Sequence, residues 1–135
     1  MSRLSMDMTT HTDSDIADFL EQNRGDEITA CHFSAVSFSD LSLKAILITE
    51  SKFSRCNLAN ADLTNSVLRS VEFEACNLVG INWTKLKKLT DVTFKNCKLD
   101  YGCFQSLQLK NTLFINCSIK EADFSDCDVS KTDFS

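Results

Sequence analysis

Seven cysteines and two histidines are the residues best able to do chemistry in this chain of 135 residues, and their spacing decides which chemistry is open to them. Cys31 and His32 are adjacent, so on an extended segment thiol and imidazole point to opposite faces and cannot pair as nucleophile and base. His11 stands apart near the amino end. Cys56, Cys76, Cys97 and Cys117 recur at intervals of 20 or 21 with no Cys-x-x-Cys pair, and thiols strung along a line cannot surround one tetrahedral ion. An odd number of cysteines also argues against a disulfide framework. The thiols therefore read as inert core filler, and the chain as a non-enzyme with neither metal nor cofactor.

What positions them is a repeat. From Ile28 a large apolar residue recurs every fifth position through Phe33, Phe38, Leu43, Ile48, Phe53, Leu58, Leu63, Leu68, Phe73 and Leu78 to Trp83. The phase slips by one residue over 84–88 and resumes at Leu89, continuing through Phe94, Leu99, Phe104, Leu109, Phe114, Ile119, Phe124 and Val129 to Phe134. At 43% apolar composition, 22 apolar centres in phase have a chance probability of roughly 10⁻⁸ before any choice of register. The absence of proline and the presence of only three glycines exclude collagen and Gly-rich phosphate loops.

A period of five fits neither a helix nor a flat strand, so the chain must turn a corner in each repeat. Four straight pieces closing a square make residues 20 apart stacked neighbours at the ~4.8 Å spacing of paired strands. One column then reads Phe33, Phe53, Phe73, Phe94, Phe114, Phe134, an aromatic ladder. Two residues before each centre the side chain also points inward, near a corner where only a small group fits. Cys31, Cys56, Cys76, Cys97, Cys117 and Cys127 occupy that slot, four of them (56, 76, 97, 117) in one column, and Leu41, Lys87 and Leu107 depart from it. Cys103, outside the slot, is expected to be the most exposed thiol.

Units such as Cys56-Asn57-Leu58-Ala59-Asn60, Ala61-Asp62-Leu63-Thr64-Asn65 and Ala122-Asp123-Phe124-Ser125-Asp126 resemble the A(D/N)LXX motif of the pentapeptide-repeat family, over residues 28–135. The resemblance implies an all-β solenoid, a right-handed quadrilateral β-helix of about five and a half coils. It also implies a role. Quinolone-resistance (Qnr-type) members and immunity proteins against topoisomerase poisons are rods that interact with DNA gyrase or topoisomerase IV, some by mimicking DNA. An interrupted phase, as between Trp83 and Leu89, is a feature of the Qnr type. The alternative class is a structural or scaffolding module.

Residues 1–27 are read as an acidic tail with a short capping α-helix over about 14–23, from the Thr12–Asp15 capping box, the Ile16, Phe19 and Leu20 face, and the Gly25 stop. At the other end the repeats stop in mid-coil at Phe134, and the expectation there is a covering partner, further chain or self-association. The longest purely apolar run, Ala45–Ile48, falls far short of the ~20 residues that span a bilayer, and no secretion signal precedes it, so a cytoplasmic protein without membrane contact is expected.

Net charge is minus five, yet residues 28–135 hold twelve acids and twelve bases. Lys85, Lys87, Lys88, Lys95 and Lys98 make the region after the slip basic, but a neutral body without interleaved aromatics does not read as a nucleic-acid surface. Glu121, Asp123, Asp126, Asp128 and Asp133 make the last coil acidic, the candidate site for a cationic protein partner such as a type II topoisomerase.

Overall fold

The computed structural model describes residues 3–4, 7–9, 20–22, 27–39, 41–109 and 111–128. Eleven short strands are described: β1 (Arg3–Leu4), β2 (Asp7–Thr9), β3 (Glu27–Thr29), β4 (His32–Ser34), β5 (Leu47–Thr49), β6 (Lys52–Ser54), β7 (Val67–Arg69), β8 (Glu72–Glu74), β9 (Lys88–Thr90), β10 (Thr93–Lys95) and β11 (Leu113–Ile115). They form two parallel sheets. One, wall A, runs β1-β3-β5-β7-β9; the other, wall B, runs β11-β10-β8-β6-β4-β2. Registers such as Phe33↔Phe53 and Phe53↔Phe73 are 20 residues apart, and Phe73↔Phe94 is 21. Isolated parallel bridges build the remaining two sides, Ser37↔Asn57↔Asn77↔Lys98↔Ser118 on wall C and Asn82↔Cys103↔Asp123 on wall D. The fold is a four-walled parallel β-solenoid.

Corners come from one backbone device. Among the described residues, seventeen non-glycine residues and Gly80 take positive φ, nearly all at five-residue intervals and each two past a centre. That left-handed conformation costs an ordinary L-residue roughly 1–2 kcal/mol, least for Asn and Asp. The cost is offset coil by coil where the N–H of such a residue reaches the next coil: Ala35 to the Ser54 carbonyl at 2.9 Å, Arg55 to Glu74 at 2.9 Å, Asn96 to Ile115 at 2.9 Å.

Between corners, alternation buries the centres. Phe33, Phe53, Phe73, Phe94 and Phe114 stack with ring centroids 4.8, 5.0, 5.5 and 5.1 Å apart and planes within 18°. A second ladder rises on wall D from Trp83 through Phe104 (5.6 Å) to Phe124 (4.7 Å), and meets the first edge-to-face, as in Trp83 against Phe94 at 5.2 Å. Gly102 leaves room for it: a Cβ there would lie 3.0 Å from the Leu99 carbonyl and 3.3 Å from the Phe104 ring.

The phase slip is a 3₁₀ turn, Trp83–Lys85, capped by the Asn82 side chain, which accepts from the Thr84 N–H at 3.1 Å. Its extra residue turns Leu86 inward, 8% exposed, and leaves Lys87 outside. Lys87 thus escapes the inward slot that residue counting gave it. Leu41 and Leu107, the other departures, sit half-buried against the core.

Backbone pairing also extends below the repeats. Arg3 and Leu4 pair with Glu27 and Ile28, and Asp7, Met8 and Thr9 pair with His32, Phe33 and Ser34. No fivefold apolar spacing marks these residues, because main-chain pairing needs no side-chain signature. Of the helix expected over 14–23, residues 20–22 are helical and Leu20 is buried; 14–19 and 23 lie outside the described residues. Phe134 and the remainder of 129–135, on which the count of five and a half coils depends, lie outside them too.

Candidate partner-binding surface

The cysteine column completes the walls from within. A centre on walls C or D often has its carbonyl taken by the N–H three residues on, as Leu58 has from Ala61 at 3.0 Å, whereas the phenylalanines of wall B turn their carbonyls toward the coil above. There the thiols meet them. Cys56 donates to the Phe33 carbonyl at 3.3 Å, Cys76 to Phe53 at 3.2 Å, Cys97 to Phe73 at 3.2 Å and Cys117 to Phe94 at 3.3 Å. Ser66 does the same for Leu43 through its hydroxyl. Hydrogen bonds with neighbouring thiols, then burial, push Cys76 and Cys117 up. All seven described cysteines are free thiols, and Cys103, Cys117 and Cys127 are half-buried alike.

Cys31 is buried and its thiol faces the Thr29 carbonyl at 3.5 Å, while the His32 imidazole reaches Ser54 Oγ at 3.1 Å on the outer face. Thiol and imidazole lie on opposite sides of wall B. Among the described residues no group of three His, Cys, Asp or Glu could hold a metal ion, and no helix is long and apolar enough to cross a membrane.

Outside, several charges are answered locally. Lys52 bridges Glu72 at 3.3 Å and Glu74 at 3.2 Å, which raises the lysine, through Glu74 first, and lowers Glu74. Lys44 reaches Asp62 at 3.4 Å. Asp100 accepts from Ser118 Oγ at 2.6 Å and the Lys120 N–H at 2.8 Å.

The last described coil differs. Glu121, Asp123, Asp126 and Asp128 are all exposed. Asp123 stacks outward over Cys103 and Asp128 over Gln108, while Glu121 and Asp126 take left-handed corners. The four acids therefore girdle the rod from the edge of wall C across wall D to wall A instead of lining one face. Ser125 donates its hydroxyl (2.6 Å) and N–H (2.9 Å) to Asp123, holding that carboxyl below its usual range. Asp133 lies outside the described residues.

One coil below the girdle stands a residue that composition and spacing had not singled out. Tyr101 is 66% exposed at a left-handed corner (φ +62°), its N–H bonded to the Lys120 carbonyl at 2.9 Å. Ile119, 39% exposed, is the other exposed large apolar residue among those described. A signal existed: other left-handed corners carry Ala, Ser, Asn, Asp, Glu, Arg or Gly, and a bulky aromatic there is an outlier.

A four-walled parallel solenoid stapled inside by stacked rings and small residues defines a class of repeat rod. The chain belongs to the pentapeptide-repeat family: the pentapeptide repeat region model matches residues 26–87, and the model of eight pentapeptide repeat copies matches 104–135. No curated protein matches it significantly in sequence. Among solved structures it is similar to full-length QnrB1, a plasmid-mediated fluoroquinolone resistance protein (TM-score 0.63, 14% identity, 93% of this chain and 74% of that one). A trypsin-treated variant of QnrB1 gives 0.62 at 15% identity, over 96% of this chain and 72% of that one. Rfr23 from the cyanobacterium Cyanothece 51142 gives 0.41 at 14% identity, over 90% and 99%.

Proposed function

We propose that this chain is a non-catalytic protein-binding rod in the cytoplasm whose partner is a type II topoisomerase, DNA gyrase or topoisomerase IV, and that it shields the enzyme from poisons. The carrying observation is Tyr101, an exposed aromatic held in a costly backbone conformation one coil below the girdle of Glu121, Asp123, Asp126 and Asp128. An aromatic anchor beside a charged rim is the anatomy of a protein contact. An enzyme that grips DNA offers a cationic groove, and a girdle of carboxylates complements it as a phosphate backbone does. The fold shared with QnrB1 supports the reading at the level of architecture.

A scaffolding role unrelated to topoisomerases is favoured by one observation, the neutral balance of the repeat body, twelve acids against twelve bases. Supercoiling by purified gyrase, with and without a fluoroquinolone, separates the two. Restored supercoiling in the presence of the drug supports the proposal; no association with gyrase and no change in activity or poisoning removes it.

A further inference from the structure

The phase slip does more than lengthen one coil. On wall A the chain pairs Leu47↔Val67↔Lys88 below the slip and Gln108↔Asp128 above it. Between these levels the ladder is broken. Among the described residues no backbone hydrogen bond joins 87–91 to 107–109 or 111, although Leu109 N–H reaches the Asp128 carbonyl at 2.8 Å one level higher. Wall B at the same height is intact, with Thr93, Phe94 and Lys95 paired to Leu113, Phe114 and Ile115. The opening is therefore confined to one side of the rod.

A second observation marks the same break. Ser66 spans 23 residues to donate its hydroxyl to the Leu43 carbonyl. The same step back from Thr112 leads to Leu89, yet Thr112 Oγ1 is fully buried without a partner. The lips of the opening thus carry main-chain groups with no described bond across it, the Leu89 and Gln108 N–H among them. The cleft measures about 340 Å³. Leu86, Leu89 and Leu107 supply apolar lining, and Lys87 and Lys88 stand at its edge, with no ion-pair partner among the described residues.

From this we infer that the slip forms a binding slot for an extended acidic peptide that carries an apolar side chain. Each part of that ligand answers one part of the slot. Unpaired backbone donors on a sheet edge take the carbonyls of an added extended segment. Three half-buried or buried leucines take a Leu- or Phe-sized side chain, which the volume admits and a folded domain exceeds. Two unanswered ammonium groups take the flanking carboxylates, fixing partner choice by charge.

The test uses the full chain and a fluorescein-labelled peptide amide, Asp-Leu-Asp-Leu-Asp, with Asp-Ser-Asp-Ser-Asp, Lys-Leu-Lys-Leu-Lys and a short DNA duplex as comparisons. Fluorescence anisotropy should show the Asp/Leu peptide binding about tenfold or more tighter than either comparison peptide, and its titration should shift the Leu89 and Gln108 amide resonances. The double substitution Lys87→Glu, Lys88→Glu should weaken it about tenfold with the thermal midpoint unchanged, since both side chains lie on the surface. Equal binding of the Asp/Ser peptide or of the duplex, or shifts that bypass Leu89 and Gln108, would overturn the inference. Because this readout involves no topoisomerase, its failure leaves the functional reading to its own assay.

Discussion

Cys97 donates its thiol to the Phe73 carbonyl at 3.2 Å across 24 residues, the same bond that Cys76 makes to Phe53 at 3.2 Å across 23. The extra residue of the slip is thus absorbed before the chain returns to wall B, and the inner column proceeds as though nothing had been inserted. The bond helps explain why cysteine occupies the slot: it is small enough for the corner and brings a further donor to a buried carbonyl on the wall B ladder. Cys97→Ala should therefore cost about 1–2 kcal/mol in equilibrium urea unfolding. Cys97→Ser, which keeps a donor as Ser66 does at the opposite corner of the coil, should cost less. Equal losses would show that sulfur packing, not donation, selects the residue.

Depth in the stack sets the value of each ring. Phe94 is fully buried between Phe73 and Phe114 and meets Trp83 and Phe104 edge-on, whereas Phe124, stacked on Phe104, is half-buried. Phe94→Ala should cost about 3–5 kcal/mol and Phe124→Ala clearly less, read from denaturant midpoints. A Phe124 loss as large as that at Phe94 would contradict the order of coils.

Much of this was legible in the residues themselves, and the reason is periodicity. A column such as Phe53, Phe73, Phe94 can be counted off a sequence because each coil repeats the same burial demand, and a one-residue slip merely changes 20 to 21. The Trp83, Phe104, Phe124 ladder obeys the same arithmetic but mixes residue types, so it stands out only when the rings are seen stacked. Main-chain events left no such trace. The pairing of Arg3–Leu4 and Asp7–Thr9 onto β3 and β4, and the broken ladder between Leu89 and Gln108, depend on backbone spacing that no side chain reports. Candidate contact residues were half legible: the acids are plain as charges, but their spread around three walls follows from corner positions, and the exposure of Tyr101 follows from the left-handed φ of its site.

Tyr101 should show the conflict between stability and contact directly. Asn occupies several equivalent corners, among them Asn60, Asn96 and Asn116, and tolerates positive φ better than an aromatic. Tyr101→Asn is expected to raise stability by about 0.5–1 kcal/mol in thermal or urea unfolding while weakening partner binding. A loss of stability would mean that the ring packs on the rod and is not a free anchor.

Acid should unfold the rod over a window set by its capped carboxylates. Asp62 is lowered by the Thr64 hydroxyl and N–H, Asp100 by Ser118 and Lys120, and Asp123 by Ser125. A carboxyl depressed in the folded state contributes fully above its unfolded value of about 3.9 and loses that contribution as pH falls through the folded value. The thermal midpoint should accordingly hold from neutrality to about pH 4 and drop below it. The pair Thr64→Ala, Ser125→Ala should flatten that drop, and NMR titration should find Asp62 and Asp123 nearer the usual carboxylate range.

Whether the girdle and Tyr101 meet a topoisomerase is decided by direct binding of the purified rod to immobilised DNA gyrase and topoisomerase IV in surface plasmon resonance. The expected result is saturable binding that weakens as salt is raised and is lost when Glu121, Asp123, Asp126 and Asp128 are changed together to Lys, the variant remaining folded. Absence of saturable binding to either enzyme, or undiminished binding by the charge-reversed rod, would contradict the assignment.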